Sequence, residues 1–430
     1  MYPTVLPLRI ASAAKKAQKD DLPLSGLAKI MPRLPRYVPA TSSDNVIIGY
    51  EAGDGITTAS SNVAIGHSAL KSANITGNTA VGFFASNANT DGSYCVSVGY
   101  EAARYNGTGD YNTAIGYRAL KGVSGQSASN NTAVGYDALT AVTTGTGNTA
   151  IGTSVADSLT SGTSNVIVGS GALATATDAS YNVAVGTQAL NSDTSGNYNI
   201  AIGYLAGYHS AGSYNVCVGG SSLRSVTTGV RCIALGHEAM RSSTTADDVI
   251  AIGYQAAYSA TGDDQVFIGT ECGSSMTSGI RNTSIGYRAS YRNQTGNRNT
   301  AIGYQAMLGV SSNSHSDNTA VGVAALEAIT TGSNNVAMGG DGLSDITTGS
   351  NNTGLGRYAG RAITTGSGNT AIGYAALFDV TTTSGNTAVG NESLYECTGS
   401  DNTTLGKNAG YGVTSGSSNT FIGHDAGGGT

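Results

Sequence analysis

The chain of 430 residues contains 62 Gly, 5 Phe and no Trp, and 11% of its residues are charged. Ordinary usage is about 7% Gly and about 25% charged residues, so Gly is doubled and charge more than halved. This balance excludes ordinary disorder, which needs high net charge and few apolar residues, collagen, which needs Gly at every third position, and a membrane span of about 18 consecutive apolar residues.

All six prolines lie in the first 39 residues. Residues 1–40 carry seven Lys/Arg and two acids, net +5; the remainder carries 21 − 7 = 14 Lys/Arg and 27 − 2 = 25 acids, net −11. The sequence therefore predicts a basic, Pro-rich segment (1–40) ahead of an acidic body (41–430) that needs its backbone N–H groups for ladders. The segment lacks the basic start and apolar core of a signal peptide. A short helix is expected over residues 11–19. Val5, Leu6, Leu8, Ile10, Leu22 and Leu24 make the segment too apolar for a free tail and suit it to docking on a partner.

One phrase recurs through the body: NTAIGYRAL (112–120), NTAVGYDAL (131–139), NTAIGYQAM (299–307), NTAIGYAAL (369–377). Its central Gly runs from Gly49 to Gly423 in 23 turns, 374 residues over 22 intervals, a mean of 17.0. The residue before the Gly is Ile, Val, Leu or Met in every turn, and the residue three before is Val, Thr or Ile in every turn. The residue two before is Ala in 14 turns, the residue four before is Asn in 19, Tyr follows the Gly in nine, and Ala stands three after it in 18. Such a period is the signature of stacked repeats. The fold class expected is all-β: a parallel β-roll or β-solenoid of about 23 coils, with like residues laddered about 4.8 Å apart over a rod of roughly 105 Å. Asn in a fixed column is expected to stack its amides. Side chains alternate along a strand, and the β-branched columns one and three before the Gly are expected inside. The Ala column then lies outside as a second apolar face needing a cover. Glycines of the TTG connections, such as Gly349 and Gly366, are expected at positive φ.

The Gly spacings read 17, 16, 17, 17, 19, 17, 17, 17, 17, 16, 17 and then repeat, so the rod is two 11-turn blocks, about 49–236 and 236–423, offset by 187 residues. The two 19-residue turns, spanning 119–130 and 306–317, are expected to bulge from one face.

The five cysteines, Cys95, Cys217, Cys232, Cys272 and Cys397, occupy scattered columns, and free thiols suit assembly in a reducing cytoplasm. The five histidines, His67, His209, His237, His315 and His424, are expected as surface ladder members. No Ser–His–Asp set or phosphate-binding loop is recognisable, and an acidic body argues against nucleic acid. One cluster stands out. Asp247 and Asp263 share a column, Asp248 and Asp264 share the next, and Val249 and Gln265 replace the ladder Asn there. Stacked carboxylates repel unless a cation lies between them. Ca²⁺ is therefore the candidate ligand, with a solvated corner and a paired-carboxylate glycosidase as the other readings. The Tyr column (Tyr50, Tyr100, Tyr117, Tyr136, Tyr204, Tyr254, Tyr287, Tyr304, Tyr374) is a candidate glycan-facing ladder, and otherwise a packing ladder.

The N-x-[AS]-[IV]-G-x-x-A phrase resembles the head repeats of YadA-type trimeric autotransporter adhesins, and similar NTAIGYxAL arrays occur in bacteriophage and other viral fibre proteins. The resemblance covers about nine-tenths of the chain, from Asp44 onward. It implies a left-handed roll, three chains wound side by side, and an adhesive or fibre role. With no stalk or anchor pattern after the repeats, the function expected is a non-enzymatic structural fibre protein of a virion (phage tail or head fibre), assembled in the host cytoplasm and displayed on the virion surface. Residues 1–40 would dock on a capsid or tail protein, and the rod, a homotrimer, would meet a host-surface glycan or receptor without membrane insertion. A bacterial surface adhesin is the alternative, and a polysaccharide-degrading tailspike comes third. An ice-binding solenoid ranks fourth, because its Thr column is expected to face inward.

Overall fold

In a computed structural model, residues 42–428 are described except 126, 311 and 312. The segment 1–40 expected to dock, and the short helix expected over 11–19, lie outside the described residues. Among these residues the chain has no helix; it forms 23 short strands, from β1 (Val46–Ile48) to β23 (Thr420–Ile422). Each strand pairs in parallel with the next at constant register, beginning Val46↔Val63, Ile47↔Ala64 and Ile48↔Ile65. One 23-stranded sheet results, and the protein is a parallel β-solenoid with one strand per coil. The recurrent phrase and the register express the same fact: a parallel stack copies its period along the chain.

The faces of the strand are the reverse of the sequence expectation. The column two before the Gly points inward, with Ala64, Ala114, Ala201, Ala301 and Ala371 fully buried. The columns one and three before it point outward: Ile115 is 40% exposed, Ile202 41%, and Val166 44%. The reason is the narrowness of a 17-residue coil. Inside it the strand meets the returning chain, whose buried Ala119 and Leu120 stand three and four residues past the Gly. Close packing leaves room on the strand for little more than a methyl group. A parity shift of one residue exchanges the two faces, and here both faces are apolar, so hydrophobicity did not choose between them.

The inward Asn column ties the coils together. Asn335 Nδ2 donates to Asn318 Oδ1 at 3.1 Å and to Gly349 O, on the following coil, at 2.9 Å. The next coil's Asn352 N donates to Asn335 Oδ1 at 2.9 Å. One side chain thus satisfies two main-chain groups of the following coil and bonds the ladder amide of the preceding one, in a dry interior where each would be costly to leave unpaired. Where Val249 and Gln265 replace Asn, the strands lengthen to four residues, β13 (Val249–Ile252) and β14 (Gln265–Ile268), and Val249 pairs with Gln265.

The repeat Gly and the connection Gly answer to one constraint. Gly116 has φ 131°, and a Cβ there would lie 2.3 Å from Gly135 O. Gly349 is not among the positive-φ residues, contrary to expectation, but its Cβ would lie 2.3 Å from Gly366 O. Close approach of successive coils, rather than turn conformation, selects glycine in the connections. The long turns bulge at equivalent places, with Val123 47% and Val310 42% exposed, 187 residues apart.

Candidate functional site

The outward strand face is a wall four columns wide. Its middle columns are Thr or Val and Ile or Val. Its edges are the residues one after and five before the repeat Gly. The Thr column, expected inside, faces out: Thr113, Thr132 and Thr149 stand partly exposed in adjacent coils at matched register.

Both edges carry aromatic stacks. Along the first, Tyr50, His67, Phe83, Tyr100, Tyr117 and Tyr136 follow one another on six consecutive coils. Ring centroids lie 5.0 Å apart for Tyr50–His67, 5.3 Å for Phe83–Tyr100 and 5.0 Å for Tyr117–Tyr136. Tyr287 and Tyr304 stack at 5.3 Å, and Tyr254 stacks on His237 at 5.9 Å. Tyr374 meets Tyr358 edge-on, and Tyr204 is 59% exposed. Within the stacked runs each ring covers its neighbour's face, so edges and hydroxyls rather than faces meet solvent. The second edge was not singled out in the sequence. Tyr94 and Tyr111 stack at 5.5 Å, Tyr181 and Tyr198 at 4.8 Å, and Tyr198 and Tyr214 at 5.1 Å. Its signal was available, as Tyr recurring five before the Gly.

Further along that second edge the column becomes charged and accounts for the Asp cluster. Arg231 donates to both carboxylate oxygens of Asp248, at 2.6 and 2.7 Å, and Asp264 lies 3.7 Å from Arg281. Asp247 Oδ1 accepts from Val230 N at 2.9 Å, and Asp263 Oδ1 accepts from Asp247 N at 2.9 Å. The cation inferred from stacked, uncompensated carboxylates is thus replaced by arginines one coil away and by main-chain donors. The Arg231 guanidinium holds the Asp248 carboxyl below its ordinary range. Among the described residues no group of three His, Cys, Asp or Glu side chains could hold a metal ion.

Two buried groups depart from expectation. His315, expected on the surface, is fully buried; burial pushes its pKa down to about 4, so the ring is neutral. Asp193 is also fully buried, and burial raises its carboxyl to about 6. It caps a turn by accepting from Gly196 N at 2.7 Å and Ser195 N at 3.1 Å. All five cysteines are buried and free, and burial pushes Cys232 up to about 11 and Cys272 up to about 12. Such thiols are poor nucleophiles.

Comparison with protein-family models, with curated proteins and with solved structures finds no match to this chain.

Proposed function

We propose that the chain is a structural fibre protein of a virion, without enzymatic activity, whose rod is a homotrimer of left-handed β-rolls and whose residues 1–40 dock it on the particle. The observation that carries this reading is the strand wall. A single chain leaves Ile115, Ile151, Ile202, Ile302 and Met338 between 37% and 47% exposed, in one apolar column that runs the length of the sheet. Contiguous exposed apolar surface of this kind marks an interface, and covering it is favourable by about 25 cal/mol per Å². The assembly face is thus the Ile/Val and Thr/Val wall, in place of the Ala column. The resemblance of the repeats to trimeric adhesin heads and viral fibres supports three chains and a left hand. Light scattering of the intact protein tests the assembly: three chains are expected, and a folded monomer overturns it. Deleting residues 1–40 should leave a rod that no longer joins its particle, and normal incorporation would exclude the docking role.

A second reading is favoured by the outward Thr column. A flat, regular array of hydroxyl and methyl groups at β-sheet spacing is a surface suited to ordering water, as in ice binding. The two readings compete for one wall. A trimer that buries it leaves no effect on ice growth, whereas a monomer that slows ice growth supports the second.

A further inference from the structure

Away from the strand wall, the first long turn opens a cleft. After Lys121, whose carbonyl accepts from Tyr105 N at 2.9 Å, the chain leaves the coil stack, and it rejoins at Ala128, fully packed beside Val142 in the core. Beside the bulge lies a shallow depression of about 490 Å³, largely open to solvent, lined among others by Tyr105, Arg118, Lys121, Val123, Ser124 and Thr140. That size lies within the roughly 300–1,000 Å³ of small-ligand sites.

The lining has a definite chemistry. Its two charged residues, Arg118 and Lys121, are both cations. Their counter-charges sit behind them: Asp137, with a side chain 17% exposed, is 3.3 Å from Arg118, and Glu101, 9% exposed, is 3.2 Å from Lys121. Glu101 is also shared with Arg104. The Tyr105 ring has the Lys121 ammonium 5.9 Å from its centroid, and the hydroxyls of Ser124 and Thr140 border the opening.

The scaffold does not require this set. The second long turn is built on the same spacing 187 residues later, and there the corresponding residues are Arg292, Gln305, Leu308 and Glu327 in place of Tyr105, Arg118, Lys121 and Thr140. A turn of the same length thus carries a different lining, so the aromatic ring and the two cations, each backed by its own carboxylate, are not dictated by the length of the turn. We infer that the cleft at the first long turn binds a sugar bearing a carboxylate, of the uronic or sialic type. Arg118 and Lys121 would meet the carboxylate through charge-assisted hydrogen bonds, Tyr105 would lie against the sugar ring, and Ser124 and Thr140 would meet its hydroxyls. This deepens the attachment reading and rests on it, by naming the class of surface sugar and the place that holds it.

The test is calorimetric titration of the intact protein with a galacturonate oligosaccharide, beside a neutral galactose oligosaccharide and inorganic phosphate. One site per chain is expected for the acidic sugar. Affinity should fall at least tenfold for Lys121→Gln and for Tyr105→Ala, and stay unchanged for Leu308→Ala at the second turn. Circular dichroism checks that each rod is intact. No binding, or equal binding of the neutral sugar or of phosphate, overturns the site. So does undiminished binding by both cleft variants. Adsorption of the same proteins to host cells separates the two claims. If the cleft variants adsorb as well as the parent, the site is wrong and attachment stands. If the parent does not adsorb, attachment is wrong and the titration alone judges the cleft.

Discussion

The ring of Phe267 occupies the space that a side chain on Gly273 would need: a Cβ there would lie 2.2 Å from Phe267 Cε1. Gly273 has φ 58°, but Leu173 and Leu223, at the same place in their coils, have φ 49°, so backbone conformation does not demand glycine. The ring does. The same exchange of a large inward residue for a glycine six positions on recurs at Ile47 and Gly53 and at Phe421 and Gly427. Each pair keeps the volume of a narrow core nearly constant.

Gly273→Leu should therefore destabilise the rod by about 1–3 kcal/mol through overpacking. Adding Phe267→Ala to it, which restores the common Ala and Leu pairing, should recover most of the loss. Chemical denaturation of the single and double variants checks this, and additive losses in the double variant would show that the two sites do not share space.

The inward and outward faces of one strand give a paired test. Ala201 is fully buried and Ile202 is 41% exposed. Ala201→Glu should prevent the middle coils from folding, because a buried unpaired charge costs several kcal/mol. Ile202→Glu should leave a folded chain with the circular dichroism of the parent but a lower mass by light scattering. Equal folding of both variants would contradict the orientation of the strand.

Asn335→Ala should cost on the order of 3 kcal/mol, since it leaves two buried main-chain groups of the following coil, Gly349 O and Asn352 N, without partners. Thr331→Ala, four residues earlier on the surface, should cost under about 0.5 kcal/mol. Thermal melts of the two variants separate the ladder from composition.

Asp193 links stability to pH. Its folded pKa of about 6 lies above the unfolded value of about 3.9, so the folded state binds the proton more tightly. The contribution of this group is most favourable below about pH 3.9 and is lost as pH rises through about 6. Asp193→Asn should raise stability at pH 7 by roughly 3 kcal/mol, with little change at pH 4. Asn89, at the same place in its coil, shows that the turn accepts an amide: its Oδ1 accepts from Gly92 N at 2.8 Å and its Nδ2 donates to Gly92 O at 2.8 Å. His315 acts in the opposite sense: with a folded pKa of about 4 against about 6.5 unfolded, its contribution is lost as pH falls through that interval. The parent's acid response should therefore be shallow over pH 4–6, and that of Asp193→Asn steeper. A parallel loss in both proteins would show that Asp193 does not titrate there.

At the mid-rod charge ladder, a chelator should leave the melting temperature unchanged, because Asp248 and Asp264 face Arg231 and Arg281. Added salt should weaken these exposed pairs slightly. A chelator-dependent fall in the melt, abolished by Asp264→Asn, would reinstate a Ca²⁺ site.

Much of this molecule could be read along the chain. The 17-residue period, the strand before each repeat Gly, the Asn ladder and the two bulges are properties of sequence distance, and a parallel stack preserves sequence distance as spatial register. Three features could not be read that way, each because it depends on what faces a residue across the coil or from the next one. The inside of the strand was hidden because both of its faces are apolar: Ala201 and Ile202 exchange roles under a shift of one residue, and only the width left by the opposite wall decides between them. The Asp cluster looked uncompensated because Arg231 and Arg281 lie a full coil away in sequence and beside it in space. The cleft at Tyr105 and Lys121 could not be read because it joins residues of three successive coils, brought together beside a turn two residues longer than the usual one.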